Sequence, residues 1–121
     1  MYTPSIFDPV NLFTSQSVAA ATTSSPSSRL ETSRMSKVQV TVKNTGASTN
    51  VTVKIYAVNT STGGVGGVIR SFTLGAGSVG TPYERWCYIE KDAIPRLLYA
   101  VIENNDIANP ATITVTVDRW R

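Results

Sequence analysis

The stretch from Val38 to Tyr56 constrains the fold more than any other part of the chain. Val38, Val40 and Val42 alternate with Gln39, Thr41 and Lys43, and after a polar break Val51, Val53 and Ile55 alternate with Thr52, Lys54 and Tyr56. A period of two built on β-branched residues marks strands with one dry face and one wet face. The break, Asn44-Thr45-Gly46-Ala47-Ser48, is turn chemistry in which Asn and Gly tolerate positive φ. The pattern predicts a β-hairpin with a loop of about five residues.

The same signals recur downstream. Val68–Leu74 reads as a strand with Val68, Phe72 and Leu74 on one side and Arg70 as the odd member, and Tyr83–Glu90 as an aromatic strand. In the latter, either Trp86 and Tyr88 face the core or Arg85 and Cys87 do. Arg96–Glu103 is a continuous apolar run, as expected of a strand covered on both faces. Ala111–Asp118 repeats the clean alternation. Ser15–Ala21 is compatible with a strand or a short helix, Thr22–Ser28 reads as loop, and Arg29–Ser33 as a short strand. The glycine-rich stretch from Asn59 to Gly67 is expected to be a mobile loop, not a phosphate cradle, because no Gly-Lys-Ser/Thr follows it. Short strands with turn signals every eight to twelve residues, and no amphipathic helix, predict an all-β antiparallel sandwich or jelly roll of about seven to eight strands.

At 121 residues the length fits one domain with a sufficient core. The chain has no histidine and one cysteine, Cys87, so neither an internal disulfide nor the usual zinc ligands can be assembled, and no cofactor is expected. Cys87 is either a buried thiol or, facing out, a possible inter-subunit thiol. The missing histidine also removes the commonest general base, and no Gly-x-Ser-x-Gly elbow is present. Carboxylate pairs such as Glu84 with Glu90 or Glu103 with Asp106 fit surface solvation better than two-carboxylate catalysis. The expectation is a non-enzyme without a small-molecule substrate. The net charge of +3 is spread singly along the chain, so no nucleic-acid partner is expected, and the Arg-Trp-Arg ending reads as a solvated tail. No apolar run approaches the roughly 20 residues of a membrane span. No basic residue precedes Arg29, and Pro4, Asp8 and Pro9 interrupt any apolar run, so a cleaved leader is not expected.

The first residues are unusual. They carry Tyr2, Ile6, Phe7, Val10, Leu12 and Phe13 together with two prolines that forbid a regular helix or central strand. A flexible tail is normally polar, and this one is apolar. The division expected is an extended arm over residues 1–14 and a sandwich over 15–121. The arm either folds back over its own domain or docks on a neighbouring subunit, with those six residues as the interface. Thirteen extended residues reach roughly 45 Å. Five buried side chains of this kind contribute about 7–15 kcal/mol before ordering costs.

Two motifs carry a resemblance. Lys43-Asn44-Thr45-Gly46 ends one strand, and Leu74-Gly75-Ala76-Gly77 ends a later one, with Thr32–Val38 leading into the first. About half of the chain is thereby similar to small bacterial surface β-sandwich domains, including the jelly rolls that build endospore appendages. The resemblance implies an N-terminal connector that docks on neighbouring subunits and strand exchange or sheet augmentation between protomers. The arm lacks the cysteines that cross-link such fibres.

The expected function is therefore that of a self-assembling structural subunit, a homo-oligomer of an extracellular filament or of a cell or spore surface, released by lysis or by a route that reads no cleaved leader. The alternatives are a virion component, such as a capsid or head-decoration protein, and a carbohydrate-binding module using Trp86, Tyr88, Tyr56 and Trp120 as an aromatic platform.

Overall fold

The computed structural model describes residues 6–58 and 65–121. Among these residues there are eight strands: β1 (Ile6–Val18), β2 (Leu30–Glu31), β3 (Lys37–Asn44), β4 (Val51–Val58), β5 (Val65–Leu74), β6 (Tyr83–Glu90), β7 (Leu97–Asn104) and β8 (Ala111–Trp120). They form two antiparallel four-stranded sheets, sheet A in the order β1-β8-β3-β6 and sheet B in the order β2-β7-β4-β5. Successive strands mostly change sheet, which is the jelly-roll pattern expected from the strand spacing.

The two valine-rich alternations behave as the periodicity requires. Val38, Val40 and Val42 of β3, Val51, Val53 and Ile55 of β4, and Ala111, Ile113, Val115 and Val117 of β8 are fully buried. Ile89, Leu98, Ala100, Ile102, Phe72 and Leu74 complete the layer between the sheets. The connection between β3 and β4, however, is not the expected hairpin, because β3 lies in sheet A and β4 in sheet B. Alternation fixes which face of each strand is dry. Two dry faces can share one sheet or oppose each other across the core, and here they oppose.

The turn residues make that crossing possible. The Asn44 side chain donates to the carbonyls of Ser48 (3.1 Å) and Gly75 (2.9 Å) and accepts from the amides of Gly46 (2.9 Å) and Thr112 (3.2 Å). Gly46 is required for space rather than for positive φ, since a Cβ there would sit 2.8 Å from the Thr112 nitrogen. Gly77 donates its amide to the Gly46 carbonyl, and a Cβ on Gly77 would collide with the Asn44 carbonyl. Lys-Asn-Thr-Gly and Leu-x-Ala-Gly, 31 residues apart between Asn44 and Gly75, are thus two halves of one interlock.

A second polar cluster ties the neighbouring loops. Asn104 accepts from the Ser48 hydroxyl at 2.7 Å and donates to the carbonyls of Val18, Ala19 and Asn109. Asp106 accepts from the Thr49 amide (2.9 Å) and hydroxyl (3.0 Å) and from the Ala108 and Asn109 amides. These donors, the Thr49 amide foremost, hold the Asp106 carboxyl well below the usual carboxylate range.

The serine-rich segment between β1 and β2 also has a definite role. Ser24 and Ser27 donate their amides to the Ile102 and Ala100 carbonyls, and their hydroxyls accept the amides of the same two residues at 2.9 Å. Thr22 supplies its carbonyl to Asn104, and Thr23 bridges Glu103. The segment expected to be loop therefore serves as an irregular edge for β7, with hydroxyls standing where strand carbonyls would be.

Candidate functional site

The residues expected to form an interface start with Tyr2, which lies outside the described residues. Ile6 and Phe7 open β1 opposite Trp120 and Arg119 of β8, and Val10 and Phe13 lie opposite Val117 and Val115. Leu12 and Phe13 are half-buried against the core. Residues 6–14, assigned from sequence to the arm, are thus continuous with residues 15–18 in one strand of the chain's own sheet A. That strand is irregular. Its register against β8 shifts three times, Pro9 interrupts its donors, and Ser15 takes a positive φ of 45°.

The other lateral side differs. There β6 forms the outer strand of sheet A and pairs, among the described residues, with β3 alone. Its eight residues run opposite Lys37–Asn44 without a register shift. Tyr83, Arg85, Cys87 and Ile89 fall in line with the inward positions Asn44, Val42, Val40 and Val38, so Trp86 and Tyr88 take the outward row. Both are exposed, Trp86 by 55% and Tyr88 by 41%. The sequence left this orientation open because both rows of β6 carry apolar side chains.

Trp86 and Tyr88 meet edge to face with centroids 5.2 Å apart. The Lys37 ammonium lies 4.7 Å from the Tyr88 ring and 5.0 Å from the Trp120 ring. An aromatic and cationic chain thus crosses the outer face of sheet A from β6 to β8. Thr41, Gln39 and Asp118 stand beside it in the register. Tyr56 does not join this platform. It stacks on Tyr99 in sheet B at 5.2 Å and 9°.

Cys87 is half-buried and in line with Val40. Burial pushes its thiol up, against an opposing effect of the neighbouring Arg70 guanidinium. Arg70, the odd inward member of β5, thereby has a place at the seam between the two outer strands. Val68 is 47% exposed because a register shift between Ile55 and Tyr56 turns it outward. The carboxylates considered as pairs have other partners: Glu103 is bridged to Lys54 at 2.9 Å, Asp106 holds the loops, and Glu84 and Glu90 lie opposite Lys43 and Lys37.

No protein-family model and no curated protein matches the chain. Among solved structures, the chain is similar to one described as Bacillus endospore appendages that form a novel family of disulfide-linked pili. The two share 14% identity at a TM-score of 0.48, over 98% of this chain and 90% of that one. At this distance the function has to be argued from the chain's own surface.

Proposed function

We propose that the protein is a non-enzymatic structural subunit that assembles with copies of itself into an extracellular filament or appendage, by sheet augmentation and by docking its N-terminal segment on neighbouring subunits. The observation that carries this reading is β6, a regular eight-residue outer strand whose exposed row is aromatic. Such an edge is a template for another strand, and natural monomers usually blunt it with bulges, proline or inward-pointing charge. Here the only inward charge on β6 is Arg85, whose side chain turns back to the Tyr83 hydroxyl (2.6 Å). The interlocking Asn44–Gly46 and Leu74–Gly77 motifs, which carry the sequence resemblance to appendage subunits, support the same reading.

The N-terminal strand would contribute by exchange. A β1 donated by a neighbour can make the same pairs with β8 that β1 makes within its own chain, at little cost beyond the connecting segment. Ile6, Phe7, Val10, Leu12 and Phe13 would then be interface residues, and Tyr2 would lie at the leading end. Unlike-to-unlike pairing, β6 of one copy to another strand of the next, generates an open filament, whereas a closing rotation generates a ring or shell such as a virion component forms. Electron microscopy of the purified chain tests the reading: filaments of the full-length protein, lost in the double variant Trp86→Lys/Tyr88→Lys, are the expected result. A dispersed particle at every concentration would sink it.

A second reading has its own support, since Trp86, Tyr88 and Trp120 share one exposed face beside polar side chains, the composition of a sugar-binding platform. Tryptophan fluorescence during titration with glycans separates the two readings.

A further inference from the structure

Residues 19–29 run along the outer edge of β7 without packing into the sandwich. Val18 before them and Thr32 after them are buried, at 4% and 0% exposure, but no side chain between those two posts is. The apolar side chains of the segment are alanines and Pro26, and the rest is serine, threonine and Arg29. An open recess of about 340 Å³, lined by Phe13 and Ser17 of β1 and by Thr22 and Pro26 of the segment, keeps it from closing onto β1. Ala21 adopts a φ of +54°, in the left-handed region that is costly for a residue with a Cβ.

What holds the segment is therefore polar. Ser24 and Ser27 exchange paired hydrogen bonds with Ile102 and Ala100, Asn104 donates its amide to the Thr22 carbonyl at 2.9 Å, and Ala21 donates its amide to the Asp106 carbonyl at 2.9 Å. Beside water, one hydrogen bond returns on balance no more than fixing one residue's backbone costs, and these bonds are fewer than the residues they order. Segments with few buried apolar contacts open at a lower free energy than the body they lie on. Beneath it β7 is the opposite: Leu98, Ala100 and Ile102 are fully buried, and the strand runs against β4 without a register shift.

From these observations we infer that residues 19–29 are a strap that opens as a unit of its own while the sandwich stays folded, and that its opening uncovers β7 as a second regular edge for a strand of another copy. Closed, the strap is an autoinhibitory contact, since its hydroxyls occupy the amides that an incoming strand would need. The opening is independent of the assembly reading, whereas the use of the uncovered edge by another copy rests on it.

Native-state hydrogen exchange of the full chain, read by NMR, tests the opening. The amides of Ala100, Ile102 and Asn104 face the strap, whereas those of Tyr99 and Val101, alternating with them, face β4. The first three should exchange together, at least about tenfold faster than the other two. Ser25→Gly, at an exposed position, loosens the open strap and should speed those three by about two- to fivefold while leaving Tyr99 and Val101 unchanged. Exchange of all five at one rate would overturn the proposal. Sedimentation velocity of Ser24→Ala/Ser27→Ala, made in the Trp86→Lys/Tyr88→Lys background so that β6 takes no part, tests the uncovered edge. Concentration-dependent association, absent from the background alone, is the expected result. A strap that exchange shows to be open, on a chain that stays monomeric at every concentration, would overturn the acceptor role of β7 whatever microscopy shows of the parent protein.

Discussion

The two lateral sides of the sandwich solve the same problem in opposite ways. Both sheets expose an outer strand on each side, and an outer strand has unpaired amides and carbonyls. On one side β1 is broken by three register shifts and Pro9, and the edge of β7 is finished by Ser24 and Ser27 hydroxyls with Pro26 between them. On the other side β5 is irregular, yet β6 is fully in register and aromatic. The difference teaches that this sequence can blunt an edge where it needs to, so the regular edge at β6 is a feature to be explained by use.

The comparison can be broken or sharpened by substitution. The largest effect is expected beneath both sides: Ile113→Ala in β8, fully buried, should cost about 2–5 kcal/mol in denaturant unfolding. A single transition with unchanged slope would show that the two sides unfold as one body. Ser24→Ala/Ser27→Ala should cost about 1–3 kcal/mol by leaving the Ala100 and Ile102 amides without their acceptors. It should also convert the closed side into an open one, read as new association in sedimentation velocity. Gly77→Ala, which forces a methyl group against the Asn44 carbonyl, should cost about 1–3 kcal/mol and loosen the link that fixes the start of β6.

Acid provides a milder probe of the loops that join the sheets. The Asp106 carboxyl is held below its unfolded value of about 3.9. Its stabilising contribution is therefore fully present above that value and is lost as pH falls through it toward the folded pKa. Thermal midpoints should fall from about pH 5 downward, and Asp106→Asn, destabilised at neutral pH, should show a flatter decline. The smallest effect on the monomer is expected from Trp86→Lys/Tyr88→Lys, within about 0.5 kcal/mol per surface substitution. The same change should abolish assembly, so stability and association would separate cleanly at the open side.

The sequence made the sandwich legible because β3, β4 and β8 write their buried faces in strict alternation, and those faces are buried as written. Sheet membership was not legible. The Asn44–Ser48 turn looks like a hairpin, and only the contacts of Asn44 with Gly75 and Thr112 show that the chain crosses the core there. The serine-rich segment hid its function because hydroxyls acting as ladder acceptors leave no periodic trace. Of the candidate site, the aromatic residues were visible as types, but the orientation of β6 required the register with β3.

One consequence follows from where β8 lies. It is the last strand along the chain and it sits inside sheet A, between β1 and β3. While the polypeptide is being synthesised, β1 and β3 must wait with a vacant slot between them until β8 is made, so the two pairings that join β1 to the rest of sheet A come after all the others. Under the strand exchange proposed above, a strand from a neighbouring nascent chain would fill that slot instead. Crowding of these chains on one message would then favour linked copies over solitary ones, and dilute refolding in vitro the reverse.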